Sequence, residues 1–242
     1  MTDDIERAHQ RAFHLYDGLH DAPHLGETLT IEGPSGPLEA LTHYPEGGAA
    51  ADAPVAVVSH PHPRHAGTMH NKVVAMLAVA LASAGLATVR FNFRGVGEST
   101  GRYDGGRGET LDLAAVAGWA RALHPGAPLW LAGFSFGAYV AMRAQAELEP
   151  ERLLLVAPPV DLFDFSGLAP PVAPLSVIQG GRDDVVSPLA VSEWVAGLPG
   201  KPHYRWMADA DHFFHGRMNR LRETVVRDAL RTLADRRTGG AA

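Results

Sequence analysis

Between residues 55 and 235 the chain alternates short, largely apolar runs with stretches of helical periodicity, which leaves few folds open to it. The runs "VAVVSH" (55–60), "LATVRFNF" (86–93), "LWLAGF" (129–134), "RLLLVAP" (152–158), "PLSVIQG" (174–180) and "PHYRWMA" (202–208) have strand length. Residues 71–85, 109–123, 137–148, 188–198 and 217–235 read as helices, and in the last Leu221, Val225, Ala229, Leu230 and Leu233 recur at helical spacing. A strand without a polar face is buried on both sides, so the alternation predicts a mostly parallel sheet covered by helices on each face. Ahead of it, "ETLTIEG" (27–33) and "PLEALTHYP" (37–45) alternate in polarity around "GPSG" and predict an antiparallel hairpin. The expected fold class is α/β, a single domain over 26–236. A polar, histidine-rich extension at 1–25, with room for one short helix, precedes it, and a flexible tail at 237–242 follows.

Charge and composition remove several function classes. The formal net charge is −6 and no basic cluster is present, which argues against nucleic-acid binding, where phosphate neutralisation supplies most of the affinity. With no cysteine, disulfides, thiolate metal ligands and a cysteine nucleophile are all absent. The N-terminus "MTDDIERAHQ" carries acids where a secretory signal has a basic region, and no apolar run approaches the ~20 residues of a membrane span. A cytoplasmic protein with no membrane association is expected.

In open parallel sheets ligands bind beyond the carboxyl ends of the strands, so the loops there carry the functional reading. After the strand "LWLAGF" comes Gly133-Phe134-Ser135-Phe136-Gly137, a G-x-S-x-G pattern that opens a predicted helix. That context is what a nucleophile elbow requires: a turn so tight that glycines flank it, lifting a serine Oγ clear of the sheet beside a helix N-terminus. The Phe136 N–H is placed there to face a developing oxyanion.

Such a nucleophile needs an acid and a histidine later in the chain. "QGGRDDVVSP" supplies the acid; Asp183 is preferred to Asp184, with Asp161 in reserve. "DADHFFHG" supplies the base; His212 is preferred to His215. His212 would take the Ser135 proton and return it to the leaving group, while Asp183 fixes the imidazole tautomer and stabilises the imidazolium.

"SHPHPRHAGTMH" (59–70) offers a rival chemistry, because His60, His62 and His65 have the H-x-H-x-x-H spacing of metallo-β-lactamase-like zinc sites. Against zinc stand Arg64, where that pattern has an aspartate, two prolines that stiffen the loop, and the lack of an equally convincing distal ligand set beyond His212 and His215. The position of this loop, after the first strand of the parallel pattern, is where elbow hydrolases place their second oxyanion donor. Pro61 and Pro63 have no N–H, which leaves the His62 backbone amide. No metal and no cofactor are therefore expected. In "FNFRGVGESTG" (91–101) the glycine spacing is not that of a dinucleotide loop, and Arg94 and Ser99 are expected to pin the loop backbone instead.

"SHPHPRHAGTMHNKVV", "VRFNFRGVGESTG", "GFSFGAYVA", "GGRDDVV" and "DHFFHGR", in this order, resemble a group of small lidless bacterial hydrolases of the α/β-hydrolase superfamily, related to its dienelactone-hydrolase-like branch. The resemblance covers nearly the whole chain from about residue 27. It implies Ser135, Asp183 and His212 as a catalytic triad and His62 with Phe136 as the oxyanion hole. Dienelactone hydrolases proper use a cysteine nucleophile, so that activity is not implied here. Only about sixteen residues, "PPVDLFDFSGLAPPVA", separate the strands ending near Ala157 and starting near Pro174, which leaves no room for a cap.

The expected function is serine carboxylesterase activity on small acyl esters in an open site, with Phe134, Phe163 and Phe165 in the substrate wall, joined by Phe136 and Leu162. The same triad serves thioesterases, peptidases, acyltransferases and perhydrolases. Readings of another class are a zinc hydrolase using His60, His62 and His65, or a non-catalytic binding protein on this scaffold.

Overall fold

The computed structural model describes residues 25–239, so the extension read at 1–25 lies, apart from Leu25, outside the described residues, as does the end of the tail. Strands β1 (Leu25–Gly33) and β2 (Gly36–His43) form the antiparallel hairpin, with Gly33 opposite Gly36. Then follow β3 (Val55–Ser59), α1 (Lys72–Ser83), β4 (Ala87–Phe91), α2 (Arg107–Leu123), β5 (Leu129–Phe134), α3 (Phe136–Leu148), β6 (Arg152–Val156), β7 (Leu175–Gly180), α4 (Pro188–Gly197), β8 (His203–Met207) and α5 (Met218–Gly239). The eight strands form one sheet in the order β1-β2-β4-β3-β5-β6-β7-β8. β2 is antiparallel to both its neighbours, and β4, β3 and β5–β8 run parallel.

Alternation along the central strands builds two cores from one sheet. Val55, Val57, Leu129, Leu131, Leu153, Leu155 and Val177 face a layer that includes Val116 and Ala120 of α2, Val140 and Ala144 of α3, and Val191 of α4. Ala56, Val58, Trp130, Ala132, Leu154, Val156 and Ile178 face the opposite layer, with Val74 and Leu77 of α1 and Leu221 and Val225 of α5. Polar groups set the helix ends. Asn71 Oδ1 accepts the Val73 N–H at 2.9 Å to start α1, and Ser187 with Pro188 starts α4.

Two details differ from the sequence reading. α2 begins at Arg107, two residues early, because the buried Glu109 carboxylate accepts the N–H groups of Asp104 (2.8 Å) and Gly106 (2.7 Å) and organises the glycine-rich loop before it. α5 runs through Gly239, past the 235 expected and into the segment read as a tail. Arg94 needs a correction too. Its side chain does not pin its own loop; it donates from Nε (2.9 Å) and NH2 (2.7 Å) to Asp112 and ties that loop to α2. Ser99 does hold backbone, donating to the Asn92 carbonyl at 2.7 Å and accepting the Glu39 N–H at 2.9 Å.

Candidate active site

At the carboxyl end of β5 the chain turns through Ser135 (φ 52°, ψ −120°) directly into α3. A non-glycine residue in this region carries strain, and the surroundings enforce it. The Ser135 N–H donates to the Val156 carbonyl at 2.8 Å, and the Ser135 carbonyl accepts the Ala138 N–H at 2.8 Å. A side chain at Gly133 would overlap the Gly137 backbone, and one at Gly137 would overlap the Ser59 carbonyl, so both glycines are there for close approach.

Ser135 Oγ lies 3.2 Å from His212 Nε2, and His212 Nδ1 lies 2.8 Å from Asp183 Oδ2. His212 comes from the loop between β8 and α5, and Asp183 from the loop after β7. Gly180 brings these loops together, because a Cβ there would meet the Ala210 carbonyl at 2.6 Å and that of Asp211 at 2.8 Å. Asp183 Oδ1 accepts the N–H groups of Val185 (2.9 Å) and Val186 (2.8 Å), and its Oδ2 also accepts from Gln179 Nε2 at 3.0 Å. Burial pushes the Asp183 carboxyl up, but the His212 hydrogen bond and charge with the two amides outweigh it, so the group sits below its ordinary value. The alternatives lie elsewhere: Asp184 is exposed, Asp161 accepts the Ser187 N–H at 2.9 Å, and His215 is exposed and bonded to Asp211 at 2.8 Å.

The loop after β3 runs against the start of α3, placing His62 beside Phe136 with ring centroids 5.1 Å apart. Among the described residues no acceptor pairs with the backbone N–H of His62 or of Phe136. The four histidines of this loop divide sharply. His60 is fully buried, with Nδ1 2.6 Å from the Pro61 carbonyl and Nε2 3.0 Å from the Phe93 N–H. The Nδ1 proton goes to that carbonyl and the Nε2 lone pair accepts from Phe93, so the ring has no lone pair left for zinc. His65 and His70 are exposed. Among the described residues no group of three or more His, Asp or Glu could hold a metal ion.

A family model described as an alpha/beta hydrolase domain matches residues 62–236. The chain belongs to the α/β-hydrolase family. Among solved structures it is similar to a lidless α/β serine hydrolase from Xanthomonas campestris, at 46% identity and TM-score 0.81, over 86% of this chain and 95% of that one. A serine hydrolase homologue from Coxiella burnetii shows 44% identity and TM-score 0.81, over 84% and 97%. An uncharacterised protein of Rickettsia prowazekii is 38% identical over 77% of this chain and 81% of its own length.

Among the described residues the hydrolase has no large cap: residues 157–174, between β6 and β7, contain no helix. Its aromatic residues do not all stand where the sequence put them. Phe134, expected in the substrate wall, is fully buried; its ring packs 5.0 Å from that of His212, so it supports the histidine and offers no surface to a substrate. Phe165 is 7% exposed and packs on Tyr139 and Trp194. Phe136 is also buried, while Phe163 is half-buried and Leu162 exposed. Phe163 stacks on Tyr139 at 4.8 Å and lies 6.0 Å from the His62 ring. Tyr103, which the sequence reading missed, lies 4.9 Å from the same ring.

Also missed were the groups that anchor the histidine loop. Asn92 Oδ1 accepts the Met69 N–H at 2.8 Å, and Arg90 NH1 donates to the Met69 carbonyl at 2.6 Å. The Arg90 Nε donates to His43 at 3.1 Å, and burial pushes its guanidinium down to about 10. Gln179 was missed as well; an amide four residues before the acid is its one sequence signal. Among the described residues no helix is long and apolar enough to cross a membrane.

Proposed function

We propose that the hydrolase is a serine carboxylesterase that cleaves small acyl esters through an acyl-enzyme. The observation that carries this reading is the continuous chain Ser135–His212–Asp183, with contacts of 3.2 and 2.8 Å, at a strained turn. Asp183 accepts the Nδ1 proton of His212, leaving the Nε2 lone pair directed at Ser135. As Oγ attacks the acyl carbon, its proton passes to Nε2 and the carbonyl electron pair moves onto oxygen. The amides of His62 and Phe136 receive that oxyanion. Collapse expels the alcohol, which takes the proton from His212. A water then repeats the sequence with His212 as base, releasing the acid and restoring Ser135.

The open rim favours short acyl chains, with Phe163, Tyr103, the His62 ring and Phe213 beside His212 as accessible aromatic surface. Ser135→Ala is expected to abolish hydrolysis of p-nitrophenyl acetate and labelling by a fluorophosphonate, with circular dichroism unchanged. Across p-nitrophenyl esters from acetate to palmitate, kcat/KM should fall with chain length. A maximum at palmitate would refute the short-chain assignment, and a wild-type protein that does not label would point to a non-catalytic binding role. The same panel extended to thioesters separates esterase from thioesterase activity.

A further inference from the structure

We propose that His60 is a positioning residue for the oxyanion site, holding the Pro61–His62 peptide so that the His62 N–H is aimed at the acyl oxygen. This rests on the serine-esterase reading of Ser135. In a trans peptide the C=O and N–H groups point to opposite sides of one plane. The buried His60 ring grips the Pro61 oxygen at 2.6 Å, so the N–H of the same peptide must point away from that ring. On its other side the ring accepts the Phe93 N–H at 3.0 Å, which anchors it to the end of β4.

Neighbouring groups enforce the same orientation. Gly67 packs so closely that a Cβ would overlap the Pro61 carbonyl. The following carbonyl, of His62, accepts the N–H groups of His65 (3.0 Å) and Gly67 (3.1 Å), fixing the next plane as well. The result is an amide with no protein acceptor among the described residues, beside the start of α3. Were the peptide to flip, a carbonyl oxygen would replace the N–H and repel the oxyanion. The hydrogen bond to Pro61 also polarises the peptide and strengthens its N–H as a donor. Burial is the chief reason that the His60 pKa falls to about 3, so the ring keeps its single neutral tautomer through the working range.

Two substitutions separate the halves of this contact. H60Q places an acceptor near Nε2 and keeps the Phe93 contact, but loses the donor to Pro61. H60N places a donor near Nδ1 and keeps the Pro61 contact. We expect H60Q to lower kcat about 10–100-fold at unchanged KM, since loss of a whole oxyanion donor costs about 100–1,000-fold. Its affinity for an alkyl trifluoromethyl ketone, whose hemiketal oxygen occupies the oxyanion position, should fall by the same factor. H60N should stay within about threefold of wild type in both. Gly67→Ala, which displaces the same carbonyl from the other side, should behave like H60Q and serves if H60Q does not fold.

The proposal is overturned if H60Q matches wild type, or if the variants lose thermal stability while kcat and ketone affinity per folded molecule stay unchanged. Activity surviving in Ser135→Ala would overturn the esterase reading itself. A dead Ser135→Ala beside a fully active H60Q overturns only the role of His60.

Discussion

His43 and His60 are held as neutral imidazoles inside the protein. Burial, with the Arg90 charge second, lowers the His43 pKa from 6.5 to about 4, and burial lowers that of His60 to about 3. In the unfolded chain both rings take up protons near pH 6.5, whereas the folded protein cannot. Their contribution to stability is therefore complete above pH 6.5 and is lost as pH falls toward 4 for His43 and 3 for His60. Urea midpoints should decline over that window, and His43→Gln, whose amide oxygen can still accept from Arg90, should decline less steeply. Asp183 extends the decline to lower pH: its folded pKa is depressed below 3.8, so its contribution is present above that value and is lost as pH falls further.

At the level of elements, the Arg94–Asp112 ion pair joins the start of the loop after β4 to helix α2, while Glu109 holds the end of that loop. Arg94 and Asp112 have side chains 10% and 0% exposed, so neither has water to fall back on. Asp112→Ala leaves the guanidinium buried and unpaired, and should cost about 3–5 kcal/mol, measurable as a lowered urea midpoint at unchanged m-value. This contact was not legible in the sequence, because its partners are eighteen positions apart on elements whose relative placement only the fold supplies. The elbow was legible for the opposite reason. Gly133, Ser135 and Gly137 are neighbours in the chain, and their spacing states a local steric demand. Phe134 could have been read correctly from the same stretch. It shares the parity of Trp130 and Ala132 along β5, so it belongs to the layer of α1 and α5. Tyr103 had no such signal, since it comes from a polar, glycine-rich loop.

In the whole molecule both helical layers pack on the same strands, alternate residues of which enter each core. Neither core survives loss of the sheet, so unfolding should be a single transition. Trp130 reports on one layer, and Trp119 and Trp194 on the other. Urea curves from tryptophan fluorescence in wild type and in Trp130→Phe should therefore coincide in shape with the far-UV dichroism curve of the same protein. Leu155→Ala, at a fully buried position of β6, should shift the whole curve by about 2–5 kcal/mol without splitting it.

Residues 157–174 pass between β6 and β7 without a helix. An enzyme that closes a cap over its substrate often turns over at the speed of that motion, and viscous solvents then slow it. Here no such movement is built into the connection between those strands. On the esterase reading proposed above, kcat/KM for short esters should follow the basicity of the departing alcohol and kcat should stay indifferent to added sucrose or glycerol, the pattern expected when bond-breaking, and not the diffusion of a protein segment, sets the pace.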